Sequence, residues 1–370
     1  MKPKNVLYVY SGKARAKAGG LDLVVRQQLQ ALVESGYKVT FVSRGVYEHP
    51  LVRNVSLKVT PAHVFSSLRS KYYYNAQHRF FSFLGGLLLR VSDFDMVISW
   101  AHQSKYLFGV ANGKGVKTFL NCPASYAERK PGASQEIFLW PSVNEKYAEE
   151  ERKRADFLLT PSDYARNSYI SAGFSPDVVF NIGRGADIQR FSPETTAGEP
   201  FRLVFFGLVC DRKGIVQALE AWRRAAVKNG EFWIIGHLLN DFGLDLSKDL
   251  PDGVFLKGFS NSPEKYIKQC HVQILPTRHE GMAKSLVEGA ACGLVTITTP
   301  ESGFPVLEGE TGYFVSRDDV ARMSELIRYL ADNPVARCEM AKKSRKFVED
   351  NLTWPIFRER FVSVIKENQG

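Results

Sequence analysis

The sequence predicts an α/β protein with two domains, each built on a parallel β-sheet. Its 370 residues are enough for two domains of ordinary size, each with its own core. Short apolar runs alternate with helical patterns along both halves, which is the order expected of parallel strands joined by crossover helices. A hydrophobic content of 44% and a charged content of 24% are typical of a soluble globular protein.

The first domain opens with a strand, a glycine-containing loop, a helix and a second strand. Asn5 to Tyr10 is an apolar run of strand length, and the loop after it ends in Gly19 and Gly20. Leu21 to Glu34 carries apolar residues at helical spacing, and Lys38 to Ser43 predicts the next strand. The loop lacks the G-x-G-x-x-G pattern, so a nicotinamide-dependent dehydrogenase is a poor interpretation.

The same alternation continues to the end of the first domain. We expect strands at Phe94–Ser99, Lys117–Leu120, Phe157–Thr160 and Val178–Ile182, and a charged helix at Asn144–Arg154. Ser162 is a plausible N-cap for a further helix. The D-x-D pattern at Asp93 and Asp95 precedes a strand instead of following one, so it predicts a turn. No cluster has metal-ligand spacing elsewhere, and we expect no metal.

The segment from Val64 to Arg90 mixes basic and aromatic side chains. Its cations are Arg69, Lys71, Arg79 and Arg90, and its aromatic residues include Tyr72 to Tyr74, Phe80, Phe81 and Phe83. Such a segment can lie in a membrane interface, with its rings buried and its cations at the headgroups, or form a domain helix whose rings pack in the core. We favour the membrane for the Arg69–Arg79 end and the core for the apolar end.

Charge is unevenly distributed along the chain. Residues 1–130 hold 19 Lys and Arg against 6 Asp and Glu, whereas residues 191–370 hold 23 against 24. A basic first domain indicates an anionic partner, for which anionic lipid and a phosphate-linked acceptor are the leading candidates. Nucleic acid is disfavoured as a partner because no known nucleic-acid module is present.

Cysteine usage and the apolar runs bear on cellular location. The five cysteines are scattered and lack C-x-x-C spacing, which predicts free thiols in a reducing cytosol. Phe80 to Leu89 is too short to span a bilayer, and the run from Val6 to Tyr10 does not match a cleavable signal peptide. We therefore predict a cytoplasmic protein and leave open its peripheral attachment to the inner face of the plasma membrane.

The second domain follows a linker at residues 191–200, which is rich in Pro, Thr, Glu and Gly. We expect strands at Arg202–Phe206, Glu231–Gly236, Gly253–Gly258, His271–Leu275 and Leu294–Thr298. Between the last two strands, Glu280 falls in a loop and Glu288 falls about one turn inside a helix. Free amides at the start of that helix favour an anion. Two carboxylates around such a cradle suit a nucleotide sugar, although an ordinary βαβ corner with solvent-facing acids would also fit.

Glu280, seven intervening residues, Glu288 and the Ala-Cys-Gly that follows resemble the signature of family 4 (group 1) retaining glycosyltransferases. That family has the GT-B fold, in which two Rossmann-like domains with parallel sheets face a central cleft. The resemblance implies that Glu280 approaches the donor sugar and that Glu288 holds the ribose hydroxyls. The donor-binding segment would be completed by Gly281, Met282, Ala283, Lys284 and Ser285, although the family usually has an aromatic–glycine pair where Met282 and Ala283 stand.

Other positions match the family's motifs one by one. Gly19 and Gly20 correspond to a glycine pair placed against the donor phosphates or the acceptor; the alternative is a tight turn that needs glycine. His102 follows the predicted strand at Phe94–Ser99, where a histidine often borders the reacting bond. After Gly207, Lys213 matches a lysine that clasps the donor diphosphate. Leu208 replaces the accompanying arginine, and Arg212 is the obvious substitute. Arg184 stands where asparagine is common, and Phe259 follows a strand where the nucleobase is placed.

The resemblance implies a domain plan and a reaction. Residues 1–190 would form the acceptor-side domain and residues 201–352 the nucleotide-sugar-binding domain, with residues 353–370 returning to the first. The expected reaction is metal-independent, retaining transfer of a hexosyl group from a UDP- or GDP-linked donor to a glycan or lipid-linked acceptor, in bacterial surface polysaccharide or lipopolysaccharide synthesis. No cofactor is expected. The alternatives are a non-catalytic nucleotide-sugar-binding protein of the same fold, a sugar-nucleotide epimerase or a phosphorylase.

Overall fold

The computed structural model describes residues 4–14, 20–57, 71–126, 145–194, 200–239 and 250–369. The chain divides into two compact units: the first comprises Met1–Gly183 with Phe357–Gly370, and the second comprises Arg184–Ile356. Each unit contains one parallel sheet with helices between its strands, which confirms the α/β class. The sequence placed the corresponding breaks at the linker 191–200 and at residue 353.

The first unit contains a parallel sheet with strand order β3-β2-β1-β4-β5-β6-β7. Its strands are β1 Asn5–Val9, β2 Lys38–Ser43, β3 Val52–Ser56, β4 Met96–Trp100, β5 Lys117–Asn121, β6 Phe157–Thr160 and β7 Val179–Asn181. Its helices up to β7 are α1 Leu21–Glu34, α2 Lys71–Val91, α3 Lys105–Gly113, α4 Glu145–Arg154 and α5 Asp163–Ser171. The strand order reverses between β1 and β4, and loops at the carboxyl ends of such neighbours form the usual ligand crevice of a parallel sheet.

The burial of each strand explains whether it could be predicted from the sequence. The central strand β1 has buried side chains from Val6 to Val9, because both faces of a parallel sheet are covered, and such strands read as continuous apolar runs. Strand β3 lies at the sheet edge and is only partly buried after Val52, so its polar sequence gave no signal. Ser162 caps α5 as expected, because its hydroxyl oxygen accepts the backbone N–H of Ala165 at 3.0 Å.

The second unit contains a parallel sheet with strand order β10-β9-β8-β11-β12-β13. Its strands are β8 Arg202–Phe206, β9 Glu231–Ile235, β10 Val254–Gly258, β11 Val272–Leu275, β12 Val295–Thr298 and β13 Gly312–Phe314. The helices from β8 onward are α6 Ile215–Ala225, α7 Glu264–Ile267, α8 Lys284–Ala291, α9 Val320–Asp332, α10 Pro334–Asn351 and α11 Trp354–Glu367, and from Phe357 onward α11 belongs to the first unit. Here the strand order reverses between β8 and β11, so the loops after these two strands are the place to look for a ligand site.

Helix α2 divides its apolar side chains between the core and the surface. Phe81 is fully buried, as the core interpretation expected, whereas Phe83, Leu87 and Val91 are 47%, 39% and 80% exposed. These three residues are spaced by four, so they form one stripe along the helix. Residues 64–70 lie outside the described residues, as do the side chains of residues 71–74. None of the helices in the described ranges combines the length and the apolar character that crossing a bilayer requires.

Candidate active site

A short 3-10 helix, Asp211–Lys213, follows β8 and is held against the loop after β11. Gly214 ends this helix in the left-handed region, with φ at 80°. A Cβ atom at Gly214 would lie 2.2 Å from the carbonyl oxygen of Pro276, so the backbones approach too closely for any other residue. Lys213 and Gly214 thus form a Lys-Gly pair whose glycine is required by the contact with Pro276.

The lysine of that pair forms an ion cluster with Arg212 and Glu280, which we call the Glu280 cluster. Glu280 Oε1 lies 2.6 Å from Arg212 Nη1 and 2.6 Å from Lys213 Nζ. Arg212 Nη1 also donates to the carbonyl oxygen of His279 at 2.6 Å. Burial acts to raise the pKa of Glu280, but the two cations outweigh burial and hold that pKa at about 2. The carboxylate is therefore ionised at every physiological pH.

A second set of ion pairs fixes the 3-10 helix and adds positive charge. Asp211 pairs with Arg278 at 2.7 Å and with Arg317 at 3.0 Å. The backbone N–H of Arg278 donates to the carbonyl oxygen of Arg212 at 2.9 Å. Together with the Glu280 cluster, four cationic side chains meet Glu280 and Asp211, and Arg317 also pairs with the exposed Asp318 at 3.8 Å. One positive charge therefore remains in excess, which suits an anionic ligand.

The start of α8 lies next to the loop after β8. Helix α8 begins at Lys284, whose Nζ lies 2.7 Å from Glu288 Oε1 one turn later. Burial raises the pKa of the Glu288 carboxyl, and Lys284 partly offsets that effect. Ser285 Oγ is buried without a hydrogen-bond partner among the described residues, and it would lie 3.7 Å from a Cβ atom added to Gly207. The structure thus brings Gly207, Lys284, Ser285 and Glu288 to one corner of the second unit.

The loop between Glu280 and α8 is held by its own backbone. The N–H groups of Glu280 and Ala283 donate to the carbonyl oxygens of Glu301 and Ser302, at 2.9 and 2.8 Å. Met282 and Ala283 are buried in the core. In the described structure the backbone amides of residues 280 and 283 are therefore already bonded to the chain itself. Contacts to a ligand would come from other groups of this loop, which also contains Gly281.

Phe259 belongs to an exposed pair of stacked rings. It follows β10, is 56% exposed, and stacks on His237, which follows β9, with ring centroids 4.1 Å apart and an interplanar angle of 13°. Sequence reasoning missed His237, because a lone histidine after a strand gives no signal of its own. The pair offers a flat aromatic surface at the carboxyl ends of two neighbouring strands.

In the first unit, His102 lies in the loop after β4 in a left-handed conformation, with φ at 73°. Its backbone N–H donates to Glu151 Oε2 at 2.6 Å. Burial lowers the pKa of His102 to about 3, so the ring is neutral at pH 7. Its Nδ1 atom is buried without a hydrogen-bond partner in the described ranges. The neutral imidazole can therefore offer a hydrogen bond but carries no charge.

Glu151 was missed by the sequence and positions the His102 loop. Its carboxylate is buried and accepts the N–H groups of Ser104 and Lys105, at the start of α3, as well as that of His102. Burial raises the pKa of Glu151 to about 7. Helix α4 contains several glutamates in a row, and the sequence alone cannot tell which of them faces inward.

The remaining predicted positions are the glycine pair, the D-x-D pattern and a possible metal site. Gly20 is exposed, precedes α1 and has φ at 67°, so it fits the tight-turn interpretation; Gly19 lies outside the described residues. Asp95 accepts the backbone N–H of Asn5 at 2.5 Å and lies with Asp93 in the loop between α2 and β4. Across the described ranges, no group of three or more His, Cys, Asp or Glu side chains is arranged to hold a metal ion.

These two units, each with a parallel sheet whose order reverses at its middle, define the GT-B class of fold. Among solved structures, HepE from Anabaena, in complex with UDP and glucose, superposes with a TM-score of 0.68 over 98% of this chain and 100% of that one. The two chains are 11% identical, so this likeness shows the fold alone. The fold class predicted from the sequence is confirmed.

Residues 200–333 match the sequence model of the family described as glycosyl transferases group 1. The match lies within the second unit and confirms the resemblance found in the sequence. The match includes the Glu280 cluster and the start of α8.

Two curated proteins are similar over longer stretches. The capsular polysaccharide biosynthesis glycosyltransferase CapM of Staphylococcus aureus is 26% identical over 46% of this chain and 48% of its own length. A GDP-mannose-dependent monoacylated alpha-(1-6)-phosphatidylinositol monomannoside mannosyltransferase of Corynebacterium glutamicum is 25% identical over 57% of this chain and 62% of its own. The chain therefore spans about half to three-fifths of the length of these relatives.

Proposed function

We propose that this chain is a retaining glycosyltransferase that needs no metal and moves a hexosyl group from a nucleotide diphosphate sugar to a glycan or lipid-linked acceptor in bacterial surface polysaccharide synthesis. The second unit binds the donor and the first unit binds the acceptor. The Glu280 cluster carries this proposal, because two buried cations lie on one carboxylate inside the stretch that matches the glycosyltransferase family.

The donor diphosphate binds at Arg212 and Lys213. Its oxygens compete with the Glu280 carboxylate for the two cations, and the carboxylate that they displace is then available to face the sugar. Charge that builds on the leaving diphosphate is stabilised by fixed cations and by the start of α8, which is the task a metal ion performs in other transferases. The transfer proceeds by front-face displacement or through a covalent intermediate.

Glu288, His102 and Phe259 have the remaining proposed roles in binding and transfer. Glu288 accepts hydrogen bonds from the ribose hydroxyls, and its pairing with Lys284 keeps its carboxylate oriented on the flank of α8. His102 is the proposed catalytic residue of the first unit, a neutral hydrogen-bonding group whose loop is held by the Glu151 carboxylate. The exposed ring of Phe259 receives the nucleobase.

The nucleotide is UDP or GDP in this proposal. A GDP-mannose-dependent relative and a similar fold solved with UDP support this choice. Either nucleotide is expected to raise the thermal midpoint of the protein, since a ligand at 100 times its Kd stabilises the folded state by about 2.7 kcal/mol. A thermal-shift panel of UDP, GDP, ADP and CMP, each with its sugar conjugates, measures the effect.

Two variants test where the nucleotide binds. Glu288→Ala is expected to abolish the shift, whereas Glu325→Ala on the exposed face of α9 is the matched control and is expected to keep it. Failure of every nucleotide to raise the midpoint of the unmodified protein would contradict the assignment of the donor site. Conversion of a nucleotide sugar without an acceptor would instead identify an epimerase.

We further propose that the first unit attaches to an anionic membrane surface through α2. The exposed stripe of Phe83, Leu87 and Val91 supplies apolar contact, and the exposed cations Arg79 and Arg90 lie on the same helix. Each basic residue near such a surface contributes about 1 kcal/mol. The basic composition of residues 1–130 supports the same partner.

Cosedimentation with phospholipid vesicles tests the membrane proposal. We expect binding to vesicles that contain phosphatidylglycerol, weaker binding as salt is raised, and little binding to pure phosphatidylcholine. The double variant Leu87→Gln, Val91→Gln should bind several-fold more weakly, while Val335→Gln, at an exposed apolar position on α10, should not. Equal binding of both variants would refute the role of α2.

A further inference from the structure

Arg184 carries a buried positive charge that has no hydrogen-bond or ion-pair partner in the part of the chain that the structure describes. The residue is 8% exposed, and its Nε atom is buried with no hydrogen-bond partner in the described part of the chain. Within those ranges, no hydrogen bond or ion pair involves its guanidinium. The buried arginines Arg212 and Arg337 differ, because both donate to backbone carbonyl oxygens. A buried guanidinium without partners costs stability, so its presence calls for a ligand.

The backbone around Arg184 is held in place within the second unit. The N–H of Ala186 donates to the carbonyl oxygen of Leu352 at 2.8 Å, and Ala186 pairs with Thr353 in a parallel bridge. A Cβ atom at Gly185 would lie 2.7 Å from the backbone nitrogen of Trp354. The backbone that carries Arg184 is therefore fixed by its contacts with residues 352–354.

The charges that act on Arg184 come from the two carboxylates of the proposed donor site. Burial lowers the pKa of Arg184, and the charges of Glu280 and Glu288 oppose that effect. Neither carboxylate reaches ion-pair distance: Glu280 is bound to Arg212 and Lys213, and Glu288 is bound to Lys284. The guanidinium thus lies in the electrostatic field of both glutamates while its donors stay unused.

We infer that Arg184 is an anion-binding residue of the donor site and that its ligand is the diphosphate of a nucleoside diphosphate. The inference rests on the proposed function. A guanidinium pairs with phosphate through two parallel hydrogen bonds, which would satisfy donors that have no partner among the described residues. At Arg212 and Lys213 an incoming phosphate must compete with the Glu280 carboxylate. At Arg184 no carboxylate of the described residues competes with it.

Isothermal titration calorimetry on the full chain tests this assignment. Arg184→Gln should weaken binding of UDP or GDP, and of inorganic pyrophosphate, by at least about tenfold, the value of one charge-assisted hydrogen bond. Binding of uridine and guanosine, which have no phosphate, should not change. The thermal midpoint of the unliganded variant should stay equal or rise, because an unpaired buried charge is removed.

Arg337→Gln is the matched control. Arg337 is also buried, but it donates to the carbonyl oxygens of Leu330 and Ala331 at the end of α9. This variant should lower the midpoint and leave the diphosphate affinity unchanged. If Arg184→Gln folds poorly, Arg184→Lys keeps the charge without the paired geometry and should bind with intermediate affinity.

The outcomes separate this inference from the proposed function. If the unmodified chain binds UDP or GDP and Arg184→Gln binds it equally well, the role of Arg184 is overturned and the proposed function stands. If no nucleotide binds, the proposed function fails, and the pyrophosphate titration alone tests the role of Arg184. Pyrophosphate binding that is lost in Arg184→Gln would support an anion site at Arg184. Absence of pyrophosphate binding to the unmodified chain would overturn that role. A midpoint loss as large as that of Arg337→Gln would reveal a structural role instead.

Discussion

Replacement of Lys213 by alanine is expected to lower kcat/KM for sugar transfer by about 10²- to 10³-fold, the usual cost of removing one group that stabilises developing charge. Lys213 is buried against Glu280, at the position where the proposed leaving diphosphate gains charge. Transfer from the nucleotide sugar identified by the thermal-shift panel to a membrane-derived acceptor measures the loss. Lys342→Ala, at an exposed position on α10, is the matched control and should leave the rate unchanged.

The Glu280 cluster also predicts opposite changes in nucleotide affinity for two variants. Glu280→Gln removes the negative charge that competes with the diphosphate for Arg212 and Lys213. This variant should therefore bind free UDP or GDP more tightly than the unmodified chain, although it transfers sugar more slowly. Lys213→Ala should bind the nucleotide more weakly. Opposite changes in affinity from two partners of one ion pair distinguish a ligand-binding cluster from a structural one.

Unchanged biological activity of Lys213→Ala would contradict the proposed role of Lys213 in sugar transfer. It would favour the alternative in which the chain binds a nucleotide sugar but does not transfer it, for which Leu208 in place of the family's arginine is the sequence argument. Nucleotide binding that persists in Glu280→Gln but without higher affinity would mean that the diphosphate does not compete with that carboxylate.

Replacement of Gly214 by alanine is expected to destabilise the second unit by about 2–5 kcal/mol. A non-glycine residue in the left-handed region costs about 1–2 kcal/mol, and forced overpacking adds about 1–3 kcal/mol. Both costs apply here, because φ is 80° and the new Cβ would lie 2.2 Å from the carbonyl oxygen of Pro276. A thermal midpoint falls by about 2–4 °C for each kcal/mol in a unit of this size.

Gly258 provides the comparison that separates the two costs. Its φ is 68°, yet no atom lies within 4 Å of the Cβ that alanine would add. Gly258→Ala should therefore lower the stability of the second unit by only about 1–2 kcal/mol, from backbone strain alone. Calorimetric scans of both variants make the comparison. Equal losses would show that contact with Pro276 is not what requires glycine at position 214.

The sequence by itself determined the fold class and most of its elements. Apolar runs such as Arg202–Phe206 and Phe157–Thr160 predicted strands with the bounds that the structure shows, because central parallel strands are buried on both faces. The helix at Leu21–Glu34 was equally clear from its periodicity. The spacing of Glu280 and Glu288 identified the family, since both residues lie on one short βαβ segment and need no distant partner to be recognised.

Only the tertiary structure decided which side chains meet. Arg212 and Glu280 are separated by 68 residues, and their ion pair exists because β8 and β11 are neighbours in the sheet. The burial of Glu151 and Arg184 is likewise decided by the tertiary structure, because nothing in the sequence distinguishes Glu151 from the other glutamates of α4, and for Arg184 the sequence shows only that it stands where asparagine is common. Local patterns report how each segment is buried, whereas pairing and the lack of a partner depend on contacts between segments that are far apart in the chain.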